Sequence, residues 1–193
     1  MKAVFISGSP RKNGNTMTIT GEIARGLKDQ GFEIKHFFLH ELDIHFCIGC
    51  KSCYKTGSCV HNDDVALIAQ DMFSAQIVIV ASPSYWGDVT AQLKTFIDRC
   101  TPYCDTNSQR KLSAKGTKGV AVAVRAGSNK TENENLVSTI EHFLGHLDIP
   151  LVSSFTVERI DTIEDLAEHP EVLNEAYDFG KNLSQRVNSK PQK

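Results

Sequence analysis

No stretch of this chain holds the roughly 20 consecutive apolar residues that a membrane span requires. Its opening, MKAVFISGSP, has neither the apolar length nor the small-residue cleavage pattern of an export signal. Charge of one sign is also lacking. The 21 Lys and Arg nearly balance the 23 Asp and Glu, and a formal net charge of −2 gives no field to gather nucleic acid or an anionic membrane. There is no internal repeat, no linker and no low-complexity tract. What remains is ordinary globular composition, 40% hydrophobic and 23% charged. A chain of 193 residues is the size of one domain and buries about 70% of the surface its unfolded form exposes, so it needs no covalent staple. The expectation is a single cytoplasmic domain over residues 1–193 with no nucleic-acid or membrane partner.

Short apolar runs alternate with amphipathic stretches. KAVFIS at 2–7 predicts a buried strand, followed by a glycine-bearing turn and a helix with Ile19, Ile23 and Leu27 on one face. Residues 32–39 predict a second strand and 64–73 a short helix. QIVIVA at 76–81 predicts a third strand, apolar enough to be covered on both faces. A helix over 90–99 turns Leu93, Phe96 and Ile97 inward, and GVAVAV at 119–124 is a fourth strand. Thr131 and Glu134 stand at capping-box spacing before a helix whose stripe is Leu136, Ile140, Phe143, Leu144 and Leu147. Residues 151–157 form a fifth strand, Pro170 suits the first turn of the last helix, and the polar tail at 188–193 is expected to fray. Five strands each followed by a helix imply a parallel sheet with helices on both faces, and right-handed crossovers favour the doubly wound order 2-1-3-4-5.

GSPRKNGNT, residues 8–16, joins the first strand to its helix. Gly8 and Gly14 permit tight turns, Asn15 or Thr16 can cap the helix, Ser9, Asn13, Asn15 and Thr16 offer neutral donors, and Arg11 offers a charged fork. With the positive end of the helix behind them, these groups suit an anion, most naturally a phosphate. No GK[ST] follows and the spacing is not GxGxxG, so neither common nucleotide loop applies. A plain polar turn with a surface arginine is the competing interpretation.

This loop resembles the FMN-phosphate loop of the flavodoxin-like NADPH-dependent FMN reductases. SPSYWG at 82–87, followed by TAQLKTFIDR, is similar to that family's P-x-Y-W-G turn and the helix ending in Lys-x-x-x-Asp-Arg. The resemblance spans nearly the whole chain. It implies bound FMN, NAD(P)H as co-substrate, and a homodimer or homotetramer covering the flavin. Ser9, Arg11, Asn13, Gly14, Asn15 and Thr16 would hold the phosphate, and Pro83, Ser84, Tyr85, Trp86 and Gly87 would face the ring. The physics agrees: in a doubly wound sheet the ligand lies beyond the carboxyl ends of the strands where the winding reverses. Tyr85 and Trp86 supply flat apolar faces there, unless they are simply core aromatics. At RAGSN, 125–129, the chain departs from the family's more glycine-rich turn; Gly127 and Ser128 can reach the flavin's edge, and Arg125 either faces a reduced flavin or lies in solvent. Lys94, Asp98 and Arg99 are expected as a helix-surface ion-pair set or a subunit contact.

Between the second strand and the next helix lie some twenty residues, about 41–62, that compact domains rarely carry without a functional reason. They hold Cys47, Cys50, Cys53 and Cys59 in the spacing C-x2-C-x2-C-x5-C. Zinc sites commonly pair two knuckles a dozen or more residues apart, whereas successive x2 spacings match the ferredoxin run. The set, with the following Asp63–Val65, is similar to that of the iron-sulfur flavoproteins, which implies a [4Fe-4S] cluster as a further cofactor; zinc and free thiols stay open. His40, His45 and His61 flank the loop and are expected as ordinary surface or satisfied histidines. Cys100 and Cys104 are expected as small buried apolar residues. The expected function is an FMN-dependent NAD(P)H oxidoreductase passing electrons to a small-molecule or protein acceptor. An iron-sulfur electron-transfer flavoprotein is the alternative, and a non-catalytic flavin redox sensor a third.

Overall fold

The computed structural model describes residues 1–188. Five parallel strands form one sheet in the order β2-β1-β3-β4-β5, comprising β1 (Lys2–Ser7), β2 (Glu33–Phe38), β3 (Ile77–Pro83), β4 (Lys118–Val124) and β5 (Leu151–Val157). This is the expected flavodoxin-like, doubly wound sheet. β1 pairs from Lys2 opposite Glu33 on one side and from Ala3 opposite Ile77 on the other, so the winding reverses at β1 and β3. Successive side chains of the central strands enter opposite cores. Val4, Ile6, Val78 and Val80 pack against α3 (Val65–Ser74), α4 (Ala91–Arg99) and α5 (Lys130–Gly145). Ala3, Phe5, Ile77 and Ile79 pack against α1 (Asn15–Asp29) and α7 (Pro170–Asn188). Burial on both faces is why these strands read as continuous apolar runs.

Helix starts depart from the expected ones in three places. α1 is capped by Gly14 and not by Asn15 or Thr16, and no side chain caps it. α5 begins one residue before Thr131: Asn129, in extended conformation, accepts from the Thr131 N–H at 3.2 Å, because an Asn two positions ahead satisfies that donor first. A six-residue helix, α6 (Ile163–Glu168), is set by a capping box between Thr162 and Asp165 and was not expected. The long connection also carries one short turn of helix, α2 (Cys53–Thr56). Pro170 opens α7 as expected; of the tail, residues 189–193 lie outside the described residues.

α1 and α7 meet backbone to backbone. A Cβ on Gly180 would stand 2.2 Å from the Ile23 carbonyl oxygen, and one on Gly26 would stand 2.2 Å from that of Tyr177. Gly180→Ala is therefore expected to cost about 1–3 kcal/mol by overpacking, despite alanine's better helix propensity. Gly21→Ala, on α1 with nothing within 4 Å of the new Cβ, should instead gain up to about 1 kcal/mol. Urea denaturation midpoints that shift the same way for both would remove the close-contact account.

Candidate functional site

A polar cavity of about 90 Å³ opens beyond the carboxyl ends of the central strands. It brings together Ser9, Arg11, Gly14, Asn15 and Thr16 from the first loop with Pro83, Ser84 and Tyr85 from the loop after β3. Two further segments complete it, Val124–Ala126 after β4 and Ile160 with Asp161 after β5. Asn13, Trp86, Gly87 and Gly127 do not line it. The first loop is held by its own backbone: the Ser9 hydroxyl accepts from the Arg11 N–H at 3.2 Å, and the Gly14 N–H donates to the Arg11 carbonyl at 3.2 Å. Thr90 ties this loop to the next one, donating its hydroxyl to the Gly8 carbonyl at 2.6 Å while its N–H donates to Ser82 Oγ at 3.1 Å.

The uncapped start of α1 leaves first-turn N–H groups for a ligand, at the positive end of the helix dipole. Two buried polar atoms in the walls have no hydrogen-bond partner, Asn15 Oδ1 and Arg125 Nε. Such atoms are costly to leave unmet, which marks the cavity as built for a polar occupant. Arg125 does not lie in solvent. It is buried, paired with Glu132 at 3.0 Å, and donates to the Asn129 carbonyl. Gly127 gives the guanidinium room, since a Cβ there would stand 2.4 Å from Arg125 Nη2. Glu132 in turn accepts from the Ser84 hydroxyl at 3.3 Å, joining the β3 and β4 loops.

The loop after β3 ends in a tight turn, with Tyr85 and Asp88 exchanging backbone bonds of 2.9 and 3.2 Å. Both central residues are left-handed, Trp86 at φ +56° and Gly87 at φ +76°, the pattern of a type I′ turn. A tryptophan in that conformation is strained, and strain of this kind collects at ligand sites. Trp86 is fully exposed and Tyr85 is 43% exposed, so neither is a core aromatic.

A second, smaller cavity of about 30 Å³ is lined by all four loop cysteines, Cys47, Cys50, Cys53 and Cys59. All are free thiols, and the backbone winds around them through left-handed conformations at Gly49, Lys51 and Gly57. Burial pushes the Cys53 thiol up. Among the described residues no three His, Cys, Asp or Glu groups are gathered closely enough to hold an ion already. Four thiols on one irregular loop facing one space nevertheless fit a thiolate-bound group by their chemistry. His45 and His61 stack at 5.1 Å, and His40 stands 3.8 Å from Glu41.

Arg99 corrects the expectation of a surface set. Lys94 and Asp98 do form an exposed pair at 2.5 Å, but Arg99 is 2% exposed and turns inward. Its Nη1 donates to Asp63 Oδ2 at 2.6 Å and to the His45 carbonyl at 2.7 Å, and its Nη2 donates to Asp63 Oδ1 at 3.0 Å. Burial alone would raise the Asp63 carboxyl; the bonds from Arg99 and the His45 N–H outweigh it and bring the carboxyl down to about 2. Cys100 is buried as expected, whereas Cys104 is only half-buried, with its Sγ 3.1 Å from the Thr106 hydroxyl.

A parallel sheet wound on both faces, with its polar cavity at the point where the strand order reverses, defines a flavodoxin-like α/β protein with a ligand site at the topological switch point. Residues 1–160 match the profile of the NADPH-dependent FMN reductases, and the chain belongs to that family. It is 39% identical over 132 residues to an iron-sulfur flavoprotein of Archaeoglobus fulgidus, covering 68% of this chain and 58% of that protein. An iron-sulfur flavoprotein of Methanocaldococcus jannaschii is 35% identical over 146 residues, or 76% of this chain and 73% of that one. Thus the match spans under two thirds of the first relative's length. Among solved structures, an NAD(P)H:quinone oxidoreductase from Methanothermobacter marburgensis superposes with a TM-score of 0.73 at 14% identity, over all of this chain and 98% of the other, a likeness of fold.

Proposed function

We propose that this protein is an FMN-dependent oxidoreductase that takes electrons from NAD(P)H and passes them to a second acceptor, a small molecule or a redox protein. The observation that carries the reading is the polar cavity at the switch point, with an uncapped helix start on one wall and two lining residues, Asn15 and Arg125, that each keep a buried polar atom without a partner. Ser9, Arg11, Asn13, Gly14, Asn15 and Thr16 hold the phosphate, with Arg11 as the charged fork. Pro83, Ser84, Tyr85, Trp86, Gly87 and Gly127 border the ring. When bound, FMN supplies hydride acceptance and one-electron transfer. The protein's own work is to hold the phosphate, orient the ring through the rigid 85–88 turn, and set a buried cation, Arg125, beside the site. Exposed Trp86 and Tyr85 also support a homodimer or homotetramer in which a second copy covers the ring.

The test combines binding and turnover. Arg11→Ala removes a charged hydrogen bond of about 1.5–3 kcal/mol and should weaken FMN roughly 10- to 100-fold. Riboflavin, which lacks the phosphate, should bind the variant and the parent alike in fluorescence titrations. Equal losses for both ligands would place Arg11 outside the phosphate site, and failure of NAD(P)H to bleach the bound flavin without oxygen would remove the oxidoreductase reading. The single tryptophan gives an independent check on the ring loop. FMN added to stripped protein should quench Trp86 emission, and an unchanged spectrum at stoichiometric binding would move the ring away from the turn.

A second reading, an iron-sulfur flavoprotein acting in electron transfer, is favoured by the four cysteines lining one cavity and by the names of the relatives. Cys47, Cys50, Cys53 and Cys59 would be the ligands of a [4Fe-4S] cluster, which would supply one-electron transfer beside the flavin.

A further inference from the structure

Arg99 is among the largest fully buried side chains of the described residues and carries a full charge. A guanidinium is not left in a core without a reason, since removing it from water costs several kcal/mol that only well-made bonds repay. Its partners are informative because of where they lie in the chain. His45, whose carbonyl it binds, stands two residues before Cys47, and Asp63, whose carboxylate it grips with both Nη atoms, stands four after Cys59. The His45 N–H donates to the same carboxylate at 3.1 Å. One fork therefore fastens both stems of the cysteine loop to the end of α4, a rigid helix.

The stems use Nη1 and Nη2. Nε remains, buried and without a partner. Arg99 shares the walls of the cysteine cavity, and Cys59 lies close enough to act on its charge. On its other side Cys59 borders a larger cavity of about 410 Å³, which Arg99 also lines. Asp98, which also lines the cysteine cavity, is paired with Lys94 at 2.5 Å, so its charge is offset outside that space. A clamp that were only structural would have no need to place its charge in the same cavity wall as a cysteine.

We propose that Arg99 is the positioning residue for the group held by Cys47, Cys50, Cys53 and Cys59: its fork fixes the loop stems, and its charge, in the cavity wall it shares with Cys59, raises the reduction potential of that group. The inference rests on the reading of these cysteines as cluster ligands. Reduction adds one negative charge to such a group, and a fixed, desolvated cation beside one ligand favours the reduced form.

The experiment uses the full chain, reconstituted without oxygen, as parent, Arg99→Lys, the double variant Arg99→Met with Asp63→Leu, and Lys94→Met. Removing both members of the buried pair keeps the variant foldable where loss of one would not, and retained FMN absorbance confirms it. The readouts are iron and sulfide content, the cluster's potential by dye-mediated titration, and hydrogen exchange over residues 43–64. Parent and Lys94→Met should agree. The double variant should show a reduction equilibrium at least tenfold less favourable, about 59 mV for one electron, with exchange at least tenfold faster. Arg99→Lys keeps the charge without the fork and should recover part of the potential but not the protection. Equal potentials in parent and double variant, with iron bound in both, would overturn the inference and leave the cluster reading standing. A parent that binds no iron would instead overturn the cluster reading, and the inference with it.

Discussion

Replacing Arg99 alone by methionine is expected to cost about 3–5 kcal/mol at pH 7, because it leaves the Asp63 carboxylate buried and unpaired. The Asp63 side chain is 1% exposed, and its remaining partners are the N–H groups of His45 and Val65, at 3.1 and 3.4 Å, and the His45 ring nitrogen Nδ1, at 3.4 Å. The pH dependence distinguishes charge from packing. In the parent the carboxyl is depressed to about 2, so its contribution, on the order of 2–3 kcal/mol, is present above pH 4 and lost as pH falls from about 4 towards 2. In Arg99→Met the sign reverses. Burial without the guanidinium raises the carboxyl above its ordinary value, so protonation relieves the unpaired charge as pH falls, and the gap between variant and parent narrows. Urea unfolding at pH 7 and pH 5 measures both gaps. A gap that is the same at the two values would assign the whole cost to lost packing.

The same residue shows where the sequence stops informing. α4 reads Leu93, Phe96, Arg99 at successive intervals of three, so Arg99 occupies the next position of the apolar stripe, while Lys94 and Asp98 share the opposite face. That spacing alone could have marked Arg99 as inward. Its partner could not be read, because Asp63 is 36 residues away on another connection. The sheet was legible because KAVFIS, IVIVASP and GVAVAV are long apolar runs separated by helix-period segments, a signal no tertiary contact needs to supply. α6, at six residues, is too short for periodicity and announces itself only through Thr162 and Asp165.

The cavity shows the same division. The first loop and the 82–87 turn carry their chemistry in contiguous residues. Ile160 and Asp161 reach the site only because β5 lies beside β4, bringing the Ile160 carbonyl to 3.5 Å from Asn15 Nδ2. Gly87 signals a turn by composition, but the left-handed conformation of Trp86 follows from the two-residue closure between Tyr85 and Asp88, which is geometry rather than propensity. Arg125 was undecidable from sequence because a loop arginine is usually solvated; burial came from Glu132 on the next helix and from the space that Gly127 leaves.

Loss of iron is expected from replacing any one of Cys47, Cys50, Cys53 and Cys59 by serine, because the four act as one ligand set. They lie on a single connection and line a single cavity, so a bound group can draw their thiolates together without recruiting a distant element. Apart from the four residues of α2 this loop has little regular structure, and exposed Phe46, Ile48 and Val60 show that no core holds it. Metal–thiolate bonds supply order where burial does not, and the Arg99 fork fixes only the stems. Protein reconstituted without oxygen should hold about four irons and four sulfides per chain, and each of the four serine variants should lose most of both. Cys100→Ala is the control. That thiol is buried in the core beneath α4, where desolvation holds it protonated, so its removal should leave iron content unchanged. FMN should stay bound in all five variants, because the first loop and the 82–87 turn belong to other connections and share no wall with the cysteine cavity. Stoichiometric FMN with no iron or sulfide in the unsubstituted protein would remove the cluster and leave the FMN-dependent reductase alone.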